Sequence, residues 1–142
     1  MKSLEEKLDL VEKLASQYEL EIGSCPQCVL SAVMEVLGVG SEELVQASDG
    51  LAGGCALSAE VTCGALAGGI LAIGSIAGRS YTKFKEKDNL RRVFLYVKQL
   101  HNKFISEFES PICNDLQKKL FGRSYNLMDQ NLVEMKDTNR HQ

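Results

Sequence analysis

Tryptophan is absent from this chain, proline occurs twice, and aromatic residues make up only 6%. So few rings exclude the stacking platforms that hold single-stranded nucleic acid. Positive charge is not in surplus either: 16 basic against 19 acidic residues leave a formal net charge of -3 over 142 residues. With no basic stripe, nucleic-acid binding has no electrostatic footprint. The first ten residues, M-K-S-L-E-E-K-L-D-L, are charged and amphipathic. They lack the apolar stretch and small-residue cleavage site of a secretory leader, so the expected compartment is the cytoplasm. Strict apolar/polar alternation is missing throughout, as are internal repeats, low-complexity segments and linkers. No convincing alternating strand is therefore expected.

What is present is helical periodicity. Leu4, Leu8, Val11, Leu14, Ala15 and Tyr18 recur at helical spacing and predict a helix that Gly23 ends. Ser24 is placed to cap a second helix, with Cys25 and Pro26 in its first turn and Gly38 and Gly40 after its end. Ser41 caps a short helix over S-E-E-L-V-Q-A-S, and Asp49 to Glu60 is a glycine-rich loop. A long amphipathic helix is expected from about Asp88 to Glu109, broken by Ser110-Pro111. A short helix holding Cys113 then ends at Gly122. The fold class is all-α: a single-domain bundle of five or six helices spanning 1–122, with a partly ordered tail over 123–142.

Val61 to Gly78 contains no charge and is crowded with glycine and alanine. Its length reaches that of a membrane helix, and Gly64/Gly68 and Gly74/Gly78 are small-xxx-small pairs. Yet the glycines are poor lipid anchors, and Tyr81 and Phe84 flank one side only, so no aromatic belt forms. The stretch is expected to be no membrane span. It is instead a central Gly/Ala-rich helix, capped by Ser58 or Thr62, against which the amphipathic helices pack and through which a homodimer could form.

Five cysteines, Cys25, Cys28, Cys55, Cys63 and Cys113, are many for a reducing compartment, and an odd count does not suit a disulfide framework. Metal binding or thiol chemistry is what such a set points to. Cys25, Cys63 and Cys113 each fall at a predicted helix start, where unpaired N–H groups and the dipole favour a thiolate. Gly64, directly after Cys63, would let a ligand approach the backbone. Cys25-Pro26-Gln27-Cys28 is a CxxC, but without the strand of a thioredoxin-like setting and without a second close Cys/His pair for zinc. Cys55 lies in Gly-Gly-Cys-Ala, whose amides could bond the sulfurs of a cluster. That loop lacks the Lys-Ser/Thr ending of a phosphate loop. Glu35 and Asp49 are the nearby acids that could carry protons. His101 is expected on or beside the apolar face of the long helix, and His141 lies in the tail.

The stretches C-P-Q-C-V-L-S-A-V-M-E-V-L-G, A-S-D-G-L-A-G-G, C-G-A-L-A-G-G-I-L-A-I-G and S-P-I-C-N-D-L resemble the C_GCAxxG_C_C family of redox-active bacterial proteins. The similarity runs from about Gly23 to Gly122. Cys63-Gly64-Ala65-Leu66-Ala67-Gly68 carries its Cys-Gly-Ala-x-x-Gly core, and Cys25 and Cys113 match other family cysteines by order. The family has a further cysteine near the C-terminus. This chain has none after Cys113, and Cys28 or Cys55 stands available instead. The resemblance implies a helical protein with a redox or iron–sulfur role.

Three functions follow as expectations. In the first, an iron–sulfur cluster on Cys25, Cys63, Cys113 and preferably Cys55, otherwise Cys28, serves electron transfer or sulfur and metal handling with a protein redox partner. In the second, metal-free thiol–disulfide chemistry uses Cys63 or Cys25 as the catalytic nucleophile and Cys28 or Cys55 as the resolving thiol. In the third, the cysteines hold zinc in a non-catalytic assembly module.

Overall fold

The computed structural model describes residues 1–86 and 90–128, and for 90 and 91 the backbone alone. Among the described residues there are six α-helices, in order: α1 Leu4–Glu21, α2 Cys25–Leu37, α3 Glu42–Ala47, α4 Gly64–Ala77, α5 Leu90–Phe108 and α6 Cys113–Phe121. Among the described residues there is no strand, only an isolated antiparallel bridge between Thr62 and Ile112. The chain is an all-α bundle. The expected helix start near Asp88, the fraying of the tail beyond 128, and His141 lie outside the described residues.

Local chemistry explains most of the boundaries. Ser3 and Ser41 cap α1 and α3 by accepting from the amides of Glu6 and Leu44. Gly38 and Gly122 end α2 and α6 in the left-handed conformation, at φ +70° and +78°. Ser24 does occupy the cap position of α2, yet its side chain makes no capping bond. It donates to Asp49 Oδ1 at 3.1 Å instead, and so ties the start of α2 to the loop after α3. Neither Ser58 nor Thr62 caps α4. Cys63 takes that position, while the Ser58 hydroxyl donates to the Gly54 carbonyl and accepts from the Glu60 amide.

Helix α2 contacts α1, α3 and α4, and α4 in turn carries α5. The core is therefore thin and centred on the α2/α4 contact. Among the described residues Leu30, Pro26 and Ser48 are the largest fully enclosed side chains, and Cys28, Ala32, Leu66 and Ala72 are also buried. Glycines allow the contact to be this close. A Cβ on Gly64 would stand 2.7 Å from Cys25 Cβ, and one on Gly68 would stand 2.9 Å from the Pro26 carbonyl oxygen. The apolar stretch is thus a packing helix, but it is not enclosed all round. Gly64, Leu66 and Gly68 in its first half are buried, whereas Ile76 in its last turn is 62% exposed beside an open hollow shared with Arg92 and Tyr96 of α5. Among the described residues no helix is long and apolar enough to cross a membrane. His101 is exposed.

Candidate functional site

Three cysteines meet at one end of the bundle because three helices begin there. Cys25 is the first residue of α2, Cys63 caps α4, and Cys113 is the first residue of α6. The isolated bridge fixes two of these starts side by side. Cys63 N–H donates to the Pro111 carbonyl at 2.7 Å, and Cys113 N–H donates to the Val61 carbonyl at 2.9 Å. The Pro111 carbonyl is the acceptor here, a role for which its missing N–H is no handicap. Gly64 lies against Cys25, as the 2.7 Å approach shows, and this brings the start of α2 up to the start of α4.

The glycine-rich loop closes the site from the side. Gly53, Gly54, Cys55, Ala56 and Leu57 all have positive φ, between 51° and 72°. Five consecutive left-handed residues are costly for side chains with a Cβ. The turn is held by backbone bonds from Cys55 N–H to the Leu51 carbonyl, Ala56 N–H to Gly50 and Leu57 N–H to Ala52. Its effect is to lay backbone on the thiols: the Gly53 amide faces the Cys25 sulfur. A Cβ on Gly54 would be 2.6 Å from Cys113 Cβ.

Cys25, Cys63 and Cys113 line one cavity of about 570 Å³, together with Glu19, Gln117 and the rings of Phe104, Phe108 and Phe121. The described start of the tail joins its wall through Leu127. Each sulfur has a polar neighbour. The Cys25 thiol donates to Glu19 Oε1 at 3.6 Å. The amides of Ala65 and Leu66 point at Cys63. Gln117 Nε2 donates to Cys113 Sγ at 3.2 Å, while Gln117 Oε1 accepts from Tyr125 N–H at 2.8 Å. Gln117 is buried, so the tail's backbone holds the amide that holds the sulfur.

A helix start should favour thiolates, yet burial outweighs the amides here. The Cys25 thiol is pushed up to about 12 by desolvation, then by the Glu19 charge and by Cys63. Cys63 is also raised, by burial first, although the Leu66 and Ala65 amides pull the other way. In the free protein these two are protonated thiols at neutral pH, contrary to the expectation of thiolates. Cys28 is buried and raised to about 11, again by desolvation before Glu19.

All five cysteines are free. Cys28 sits one turn into α2, in the neighbouring hollow with Cys25 and Glu19 and not in the shared cavity. Cys55 is exposed and does not line the cavity. Among the described residues no three metal-binding side chains are close enough together to hold one ion. To hold one ion, Cys25, Cys63 and Cys113 would have to draw together, and Cys55 would have to turn towards them to be a fourth ligand. Of the two acids singled out by proximity in sequence, Glu35 accepts from the Tyr18 hydroxyl at 2.6 Å and Asp49 from Ser24. Neither lines the cavity. The carboxylate at the thiols is Glu19, on the last turn of α1. The only sequence signal for it was its position six residues before Cys25, across the Gly23 break. Gln117 was marked only by standing one helical turn after Cys113.

The family model described as "Putative redox-active protein (C_GCAxxG_C_C)" matches residues 23–140. No curated protein and no solved structure matches the chain. The matched span covers most of the chain and contains α2 to α6 with all five cysteines, so the chain belongs to the C_GCAxxG_C_C family.

Proposed function

We propose that this member of the C_GCAxxG_C_C family is a dithiol redox protein in which Cys63 is the central sulfur and Cys113 or Cys25 its partner. The observation that carries the reading is the single cavity that Cys25, Cys63 and Cys113 line together. In the reaction, two S–H bonds break and one S–S bond forms. A disulfide of a protein redox partner, or a small disulfide, takes up the two electrons and the two protons and leaves as two thiols. Glu19, which accepts from the Cys25 thiol, gives a proton leaving that sulfur a place to go. Since the fold disfavours the thiolates, it gives no extra stability to the reduced form at neutral pH. The couple should therefore lie on the reducing side of exchange proteins whose low-pKa cysteines stabilise the dithiol. The test is anaerobic treatment of the reduced chain with a small disulfide, followed by peptide mapping. A bond containing Cys63 is expected. A Cys25–Cys28 bond would instead make the CxxC the working pair and overturn the assignment.

A second reading keeps an iron–sulfur cluster, or zinc, on Cys25, Cys63 and Cys113. Its support is the set of donors aimed at the sulfurs from Gly53, Ala65, Leu66 and Gln117, of the kind that tunes cluster thiolates. It requires the thiols to lose their protons and draw together around a fourth ligand. Iron, sulfide and zinc analysis of protein purified without oxygen decides between the two. Iron and sulfide in near-equal amounts, lost in Cys63→Ser, would favour the cluster.

A further inference from the structure

We infer that the end of the bundle opposite the thiols is a docking surface for an anionic lipid membrane. This surface stands apart from the dithiol site. Cys63 caps the start of α4, and the 14 residues of that helix place Ala77 about 20 Å away. The near-neutral total charge hides an uneven distribution. Residues 1–60 include three basic and eleven acidic side chains, whereas residues 79–103 include eight basic and two acidic ones. Even with both acids paired inside that segment, a surplus of six cations remains. The chain as a whole has no basic stripe, but this segment is one. Arg79, Lys83, Lys85, Arg92, Lys98 and Lys103 are all exposed. Exposed rings gather in the same place. Among the described residues the exposed aromatic side chains are Tyr81, Phe84, Phe94 and Tyr96, with Tyr81 at 89%. Cations and rings interleave: Tyr81 stacks on Phe84 at 5.9 Å, Lys85 Nζ lies 5.8 Å from the Phe84 centroid, and Arg92 lies over the Tyr96 ring. The Arg79 guanidinium donates to the Phe84 carbonyl at 3.1 Å. Beside them, α4 and α5 enclose a hollow of about 450 Å³, lined by the apolar Ile73, Ile76, Ala77 and Leu100 and by the cations Arg92 and Lys103. An anionic bilayer surface answers every part of this face. Its headgroups meet the cations, its interface takes the rings, and its acyl boundary takes the aliphatic hollow. A second copy of the same face would bring its own surplus of cations against the first. Nucleic acid would answer the charge but leave Ile76 and Leu95, both exposed, in water.

The chain has no tryptophan, so Tyr81→Trp gives a single fluorescent reporter in the patch, and Leu8→Trp gives one on the exposed side of α1. Each full chain is mixed with vesicles of phosphatidylcholine, alone or with one third phosphatidylglycerol. Flotation with the anionic vesicles only is expected, with a blue shift at position 81 and none at position 8. Added salt should weaken it, because the headgroup charges are then screened. Each Lys or Arg close to such a surface strengthens binding about fivefold. Lys83→Gln combined with Lys85→Gln should therefore lower the vesicle affinity about twenty-five-fold. Both side chains are exposed, so the far-UV spectrum and the Cys63 disulfide reaction should not change. Tyr81→Ser, with every cation kept, should also weaken binding, since it removes an exposed ring. Four results would overturn the inference: no binding to anionic vesicles, equal binding to both kinds, flotation without a shift at position 81, or a shift at position 8. Binding of a mixed-sequence oligonucleotide in place of the vesicles would make the stripe a nucleic-acid surface and overturn it as well. None of these results bears on the mapped disulfide, so the dithiol reading stands or falls separately.

Discussion

Glu19 is the residue through which α1 reaches the chemistry, and its effect on Cys25 can be separated from that of burial. The carboxylate raises the Cys25 thiol both through its charge and by accepting the S–H. Desolvation is the larger cause and does not depend on Glu19. Glu19→Gln therefore removes a negative charge beside the sulfur, and an amide can donate where the carboxylate could not. The sign is clear: the Cys25 pKa falls but stays above its ordinary value of 9.0, because burial persists. The expected outcome is faster alkylation of Cys25 by iodoacetamide at mildly alkaline pH, followed peptide by peptide, with the profile displaced to lower pH. Cys55, exposed and outside the cavity that Glu19 lines, serves as the internal reference. An unchanged Cys25 profile would remove Glu19 from the site. Such a residue was not legible in sequence, because a Glu on an amphipathic helix full of Glu and Lys looks like solvated surface. Cys25, Cys63 and Cys113 were legible because Pro26, Gly64 and Pro111 punctuate the chain beside each of them.

At the scale of elements, helix ends could be read from caps, whereas the 53–57 turn could not. Ser41, Gly38 and Gly122 act through rules that need only a few neighbouring residues. A left-handed run through Cys55, Ala56 and Leu57 contradicts their local preferences, so only the packed surroundings can impose it. Two substitutions, one residue apart, should therefore act in opposite directions. Cys55→Gly removes an exposed side chain from a residue at φ 72° and should stabilise the protein by about 1 kcal/mol. It should also leave the Cys63 disulfide reaction intact. Gly54→Ala adds a Cβ 2.6 Å from Cys113 Cβ and 2.9 Å from Ala59 Cα, at φ +71°. Overpacking against backbone costs about 1–3 kcal/mol, with the left-handed strain in addition. Thermal melts of the reduced proteins check both. A melt of Cys55→Gly below the parent's would mean that the turn is not left-handed in solution. The same reasoning explains why α4 could be read as a close-packing helix but its exposure could not. Gly64 and Gly68 announce an approaching backbone, whereas how far α2 and α5 extend along α4 is decided by their lengths and angles in space.

For the whole molecule, the buried thiols tie the redox site to stability. The enclosed core is thin, and Cys28 belongs to it, with an exposure of 3%. Cys25, Cys28 and Cys63 are all raised above the ordinary value of 9.0, the first two to about 12 and about 11. A raised thiol means that the unfolded chain gives up its proton before the folded one does. Below pH 9 both states hold these protons, so the stabilisation is fully present and the three thiols add no slope. Above it the unfolded state binds fewer protons than the native state, and stability falls until each folded thiol ionises in turn. The slope is at most about 1.4 kcal/mol per pH unit for each thiol ionised in the unfolded chain only. Urea midpoints of the reduced protein should thus be insensitive to these groups near neutrality and drop steeply above pH 9. Cys28→Ala should flatten that drop by about one thiol's share, at some cost in packing at neutral pH. Protein oxidised at Cys63 should flatten it further, since a disulfide has no proton to lose. Helical bundle and thiol cluster could be anticipated from periodicity and punctuation, but this coupling could not. Helix starts favour thiolates, and only the packed cavity reveals that desolvation overrides them. A pH profile of the reduced protein identical to that of the oxidised one would mean that the thiols are hydrated in solution, and the apolar cavity built around them would go with it.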